Sequence, residues 1–314
     1  MQFEIQIRNE NNFSIISLLN AYEGVCAEIY SFGGFLNRFE IPVQGNPFNI
    51  VDGYTSIADA QARCAEGFQS VRLSPFVCRL KKGSYEWNGM AYQIEKKYMG
   101  EHAIHGLQYD AAFQVIESVA NEQEARVELS SYYPGTDPGY PFPYHTKIIW
   151  CLRKDAELSV TTTVWHENPT PIPFAEGWHP YFTLGGKADE WNLQFSTSRI
   201  MEYDADLLPT GSYLKDSRFV NGCSLLGIQL DNGFVWEDRE SHRFCTLSNS
   251  AISLNILPDT SFPVLQVFIP DNRNSIALEN LSGAPDNFNN QLLLIHLQPH
   301  TPKSFTTRYQ VSVL

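Results

Sequence analysis

Leu158-Ser159-Val160-Thr161-Thr162-Thr163-Val164 alternates down its length, with the leucine and valines on one parity and Ser159, Thr161 and Thr163 on the other. Successive side chains of an extended chain point to opposite faces, so this stretch reads as a half-buried antiparallel strand. The same pattern returns at residues 3–7, 27–32 and 125–129. Turn formers stand between such runs, at Phe32-Gly33-Gly34, Lys82-Gly83-Ser84, Pro134-Gly135, Asp231-Asn232-Gly233 and Ser282-Gly283. Helical periodicity is confined to residues 56–66, with Ser56 as N-cap and Gly67 closing the helix. The 20 Phe, 15 Tyr and 6 Trp add to the β bias. No linker or repeat divides the 314 residues, so the expectation is one large antiparallel β domain over residues 1–314 with few short helices.

A formal charge of −13 argues against nucleic acid or an anionic membrane as partner, because both need a basic face. The short basic cluster Arg79-Leu80-Lys81-Lys82 reads as a solvated turn at its two lysines. The opening segment lacks the basic start and apolar run of a signal peptide, and no run approaches a membrane span. The six cysteines are widely spaced, with no metal-ligand spacing and no disulfide frame. A cytoplasmic location, reduced thiols, no metal and no cofactor are therefore expected. Exposed strand edges permit either a monomer or a homodimer.

Three residues carry the parts of acid–base chemistry. His179 stands in Gly177-Trp178-His179-Pro180-Tyr181-Phe182, where the following proline biases it to an extended conformation at a strand or strand end. His105 precedes Gly106, which allows a sharp turn or a close approach. Glu279 follows the apolar Ile276-Ala277-Leu278, so it emerges from a mainly buried strand that raises its pKa. Each also has a plain reading, as a packed core histidine or a strand-end glutamate. Arg79 offers a planar fork able to reach two hydroxyls, or a structural ion pair. Asp231 is either an acceptor for two vicinal hydroxyls or part of a hairpin turn. The aromatics Trp178, Tyr181, Trp236 and Phe268 are candidate platforms for a ligand ring, most of them expected to be core. The other five histidines, 145, 166, 242, 296 and 300, belong to no motif.

In this order along the chain, the motifs resemble the aldose 1-epimerase (galactose mutarotase) family. They are Phe32-Gly33-Gly34, Leu73–Leu80 followed by Gly83–Gly89, His102–Gly106, Tyr140-Pro141-Phe142, Gly177–Phe182, Asp231–Phe234 and Glu279. The chain departs from the family pattern at Cys78, where an asparagine usually precedes the arginine, and at His102, three before His105, which places it in a divergent branch. The resemblance implies a large antiparallel β-supersandwich with a cleft across one sheet. It also implies an isomerase that interconverts the α and β anomers of a free aldohexose, with Glu279 as base, His179 as acid and His105 as hydrogen-bond donor. Arg79, Asp231 and Tyr181 would then bind the sugar. Two alternatives share the fold. One is a hexose-6-phosphate mutarotase, which needs further cations such as Arg72, Lys81 and Lys82. The other is a sugar-binding or regulatory protein without catalysis.

Overall fold

The alternation becomes strand along most of the chain in the computed structural model, which describes residues 2–236 and 243–314. The stretch 158–164 lies inside the strand Glu157–Trp165, within a nine-stranded antiparallel sheet between Tyr144–Arg153 and Lys303–Val313. Leu158, Thr162 and Val164 are fully buried. On the opposite face Thr161 and Thr163 reach the hydroxyls of Thr306 and Ser304 at 3.0 and 2.9 Å. Thr162 is the polar exception on the buried face, and its hydroxyl accepts the Trp178 indole N–H at 3.3 Å.

That bond crosses to a second, eight-stranded sheet. Its order runs from Pro209–Lys215 through Arg199–Tyr203, Asp231–Val235, Val264–Phe268 and Ile276–Leu281 to the short pieces Gly177–Trp178 and Arg72–Leu73. Tyr181–Phe182 pairs with Ile276–Leu281 as well. The two sheets pack face to face through Trp150 on Trp178, ring centroids 5.7 Å apart, and Phe182 on Tyr309, also 5.7 Å. A five-stranded sheet formed by the strands from Phe3–Glu10 to Asn46–Asn49 extends the assembly. The Trp150 indole ties to it, donating to the Gly34 carbonyl at 2.9 Å. The fold is thus the expected all-β antiparallel supersandwich. Among the described residues no helix is long and apolar enough to cross a membrane, and all six cysteines are free thiols.

The helix Ile57–Gly67 forms where the periodicity places it, with the Ser56 hydroxyl accepting the Asp59 N–H. Its closing residue differs from the expectation. Phe68, at φ 56°, takes the left-handed position, while Gly67 is the last helical residue. Burial of the Phe68 ring, whose centroid lies 4.6 Å from that of His105, outweighs the backbone preference that favours glycine there.

One turn is corrected outright. Asp231-Asn232-Gly233 is not a hairpin turn but the start of the strand Asp231–Val235, paired residue by residue with Phe268, Val267 and Gln266. Gly233 is there for clearance, because a Cβ would lie 2.4 Å from the Tyr203 hydroxyl oxygen.

Candidate active site

Strand alternation decides which side chains reach the cleft. In Ile276–Leu281 the Asn280 side chain turns to the nine-stranded sheet and donates to the Thr307 hydroxyl at 3.1 Å. Glu279 therefore points the other way, into a cavity of about 450 Å³ on the outer face of the eight-stranded sheet. Its cross-strand partner Gln266, and Gly233 beyond, lie in the same row. His179 enters from the break between Gly177–Trp178 and Tyr181–Phe182. Its backbone is fixed from both sides, its N–H donating to Val71 and its carbonyl accepting from Ser70, at 3.0 and 2.8 Å. His105 has φ 57° and precedes Gly106 at φ 74°. Two successive left-handed residues make a sharp bend, and a Cβ on Gly106 would lie 2.2 Å from the Ser74 carbonyl oxygen.

These elements bring His179 Nε2 to 3.3 Å from Glu279 Oε1. The His105 ring meets that of His179 edge-on at 5.0 Å, and Tyr181 stacks on His179 at 4.9 Å with an interplanar angle of 19°. Tyr181 therefore braces the imidazole as well as lining the cavity. Glu279 and the two histidines are almost entirely buried. Glu279 Oε2 and the Nδ1 atoms of His105 and His179 find no hydrogen-bond partner among the described residues. Buried polar atoms in a native fold are normally paired, so their grouping around one cavity marks a place for a polar ligand.

Burial pushes the Glu279 carboxyl well above the usual carboxylate range, and the nearby Asp231 adds to the shift. Burial also drops His179 to about 4 and holds His105 well below its ordinary value. Both charged forms of the Glu279–His179 contact are thus disfavoured in the free site. A neutral carboxyl–imidazole pair and a carboxylate–imidazolium pair contain the same single proton, which a ligand can redistribute without drawing on solvent.

Asp231 is held by the Gln266 amide, which donates to Oδ1 at 2.8 Å, while the Gln266 oxygen accepts from the Tyr203 hydroxyl at 3.1 Å. Burial raises the Asp231 pKa, and Arg79 opposes the rise. Arg79 lines the same cavity, and its contact there is the Met99 sulfur at 4.0 Å. Gly233→Ala is expected to push Tyr203 off Gln266 and to cost about 1–3 kcal/mol, the usual range for overpacking. Chemical denaturation checks this, and unchanged stability would show that Tyr203 yields freely.

All six residues expected from the sequence, Arg79, His105, His179, Tyr181, Asp231 and Glu279, line this one cavity. Gln266, Phe68 and Tyr203 were missed. A lone glutamine inside the apolar run Val264-Leu265-Gln266-Val267-Phe268 was the available signal. Of the other three aromatics weighed from the sequence, Phe268 reaches the cavity, while Trp178 and Trp236 are buried elsewhere. Arg72 is not free for an anion. It is fully buried and forked onto Glu176, Nε to Oε1 at 2.8 Å and Nη2 to Oε2 at 2.7 Å. Lys81 and Lys82 do not line the cavity. His102 accepts the Lys82 N–H at Nδ1, 3.0 Å. Of the histidines without a motif, His166 is buried and bonded to the Leu297 carbonyl, His145 stacks on Trp165, and His296 and His300 are exposed. His242 lies outside the described residues.

The model of the aldose 1-epimerase family matches residues 14–310. An uncharacterized protein of Escherichia coli K12, YihR, is 25% identical over 242 residues, covering 73% of this chain and 75% of its own length. Two solved structures share the fold. Galactose 1-epimerase from Lactobacillus acidophilus NCFM superposes with a TM-score of 0.83 at 17% identity, over 99% of both chains. A galactose mutarotase-like protein from Clostridium acetobutylicum gives 0.86 at 15% identity, over 100% of this chain and 99% of its own.

Proposed function

Since the chain belongs to the aldose 1-epimerase family, we propose that it is an isomerase that interconverts the α and β anomers of a free aldohexose. The observation that carries this reading is the 3.3 Å contact between Glu279 and His179, with the unpartnered Glu279 Oε2 beside it. As the sugar enters, its C1 hydroxyl displaces this contact and gives its proton to the Glu279 carboxylate. His179, as imidazolium, protonates the ring oxygen in the same event, and the ring opens to the aldehyde. Rotation about C1–C2 presents the other carbonyl face. The C5 hydroxyl then attacks C1 and returns its proton to His179, while Glu279 protonates the former carbonyl oxygen. His105, held neutral by burial, donates to the oxygen at which charge develops.

Asp231, held by Gln266, suits ring hydroxyls that do not react, with Arg79 beside it. Asp231→Asn is therefore expected to raise KM roughly tenfold or more while kcat changes little, since a hydrogen bond to a charged group is worth about 1.5–3 kcal/mol. Steady-state kinetics separates the two constants, and a loss confined to kcat would move Asp231 into the reacting set.

A free sugar is favoured over a hexose 6-phosphate. Among the described lining residues Arg79 is the one permanent cation, facing the carboxylates Asp52, Glu66, Asp231 and Glu279. The direct test follows the α and β H1 signals of glucose, galactose and glucose 6-phosphate by NMR with catalytic protein. Acceleration with a free hexose is expected. Acceleration with the phosphate alone would overturn the substrate class, and none with any sugar would overturn the enzyme.

A further inference from the structure

Tyr203 reaches the site across a neighbouring strand, and the sheet is opened to let it pass. Arg199–Tyr203 pairs with Asp231–Val235 at Arg199 opposite Val235 and at Ile200 opposite Phe234, and the ladder stops short of Gly233. On its other side the register slips between Met201, opposite Tyr213, and Tyr203, opposite Pro209. Irregularities of this kind re-aim a side chain. The Tyr203 hydroxyl lies over Gly233, where a Cβ would come to 2.4 Å from its oxygen and 3.1 Å from Gln266 Oε1. It thus passes one strand and meets Gln266, the cross-strand partner of Gly233, on the next.

The two ends of this row set its polarity. Gln266 has one acceptor group and one donor group. The Tyr203 hydroxyl takes the acceptor, donating to Oε1 at 3.1 Å, which leaves Nε2 to donate to Asp231 Oδ1 at 2.8 Å. Burial holds the Tyr203 phenol well above its ordinary value, so it stays a neutral donor. Were the amide turned over, its oxygen would face Asp231 and would favour the protonated acid. The hydroxyl would then be left with the Met201 sulfur at 4.0 Å, a weak acceptor. Of the other groups that bear on Asp231, Arg79 favours its charged form and burial opposes it. Glu279, Cys78 and Tyr181 face it from the same cavity.

We propose, resting on the mutarotase reading of this site, that Tyr203 is a positioning residue for sugar binding: its hydroxyl holds the Gln266 carbonyl, turns the Gln266 amide nitrogen toward Asp231, and so keeps Asp231 as the charged acceptor for a ring hydroxyl.

The test compares the wild type with Tyr203→Phe, Gln266→Leu, Asp231→Asn and the double variant Tyr203→Phe/Asp231→Asn. Phenylalanine keeps the ring over Gly233 and removes the hydroxyl alone. Anomer exchange with glucose and galactose is followed as a function of pH, with NMR titration of each sugar in parallel. The protonation of Asp231 is read separately by NMR of carboxyl-labelled aspartate, its signal identified by its loss in Asp231→Asn. Tyr203→Phe is expected to raise the Asp231 midpoint by about half to one pH unit, the worth of one neutral hydrogen bond. KM on the acid side of the profile then rises roughly three- to tenfold, while kcat stays within about twofold. Gln266→Leu raises the same midpoint by breaking the row at its centre. In the Asp231→Asn background the loss of the hydroxyl adds nothing further to KM. A midpoint unmoved in both single variants overturns the proposal and leaves the mutarotase standing. A loss confined to kcat, or an undiminished effect in the double variant, does the same. No exchange with either sugar, together with a raised midpoint and weaker sugar binding in Tyr203→Phe, sustains the role of Tyr203 and overturns the catalysis. No exchange and an unmoved midpoint overturn both.

Discussion

Glu279→Gln and His179→Asn are each expected to lower catalysed anomer exchange by roughly 10²–10⁴-fold, the usual contribution of a positioned acid or base. The two residues act on one proton in a 3.3 Å contact, so the double variant should be little worse than either single one. Additive losses in the NMR exchange assay would mean that they act in separate steps. The glutamine variant carries a second expectation, for stability. Burial holds the Glu279 carboxyl above its ordinary value of 4.5, so the fold favours the protonated form. That contribution is fully present below pH 4.5 and is lost as the pH rises through the raised folded value. Glutamine resembles the protonated acid at every pH. The variant should therefore melt no lower than the parent at pH 7, and any advantage should vanish below pH 4.5. A lower melting temperature at pH 7 would show that the carboxylate is stabilised in the fold and that its charged partners prevail over burial.

The largest stability effect is expected behind the site, at Arg72 and Glu176. Both side chains are fully buried, and the pair ties together the elements that position His105, His179 and Glu279. Ser74, which accepts from Arg72 at 3.0 Å, also bonds the hydroxyl of Tyr144, and its carbonyl accepts the N–H of Leu107, two residues after His105. The Glu176 N–H donates to the Ser282 hydroxyl at 2.7 Å, three residues beyond Glu279. Removing one partner leaves a buried charge without its counterion. Arg72→Met or Glu176→Gln alone is thus expected to cost about 3–5 kcal/mol. The double replacement Arg72→Met/Glu176→Leu should recover much of that loss, because neither charge then remains. Denaturant titration of the three variants decides this, and single variants within about 1 kcal/mol of the parent would show that water reaches the pair.

The strands and the meeting of His179, His105 and Glu279 in one cavity were legible because both are written locally. Alternation fixes which face a residue takes, and His179, His105 and Glu279 sit in short, distinctive surroundings. What stayed hidden depends on distant partners. Arg72 read as a spare cation because Glu176 stands 104 residues away. Asp231-Asn232-Gly233 has the composition of a hairpin turn, and only the approach of Tyr203 explains a glycine inside a strand. Phe68 as a helix cap likewise follows from the ring it packs against, which no local pattern carries.

The strand Lys303–Val313 is the last in chain order, yet it lies mid-sheet, paired to Glu157–Trp165 on one side and Ile252–Pro258 on the other. During synthesis the large sheet must therefore wait as two halves, each with a raw edge open to other chains. Thr307 on this strand also receives Asn280, the neighbour of Glu279. The strand that carries the Glu279–His179 contact thus leans, through Asn280, on a partner that is made after it. Trimming this strand would leave two raw edges in the middle of the large sheet, facing Glu157–Trp165 and Ile252–Pro258.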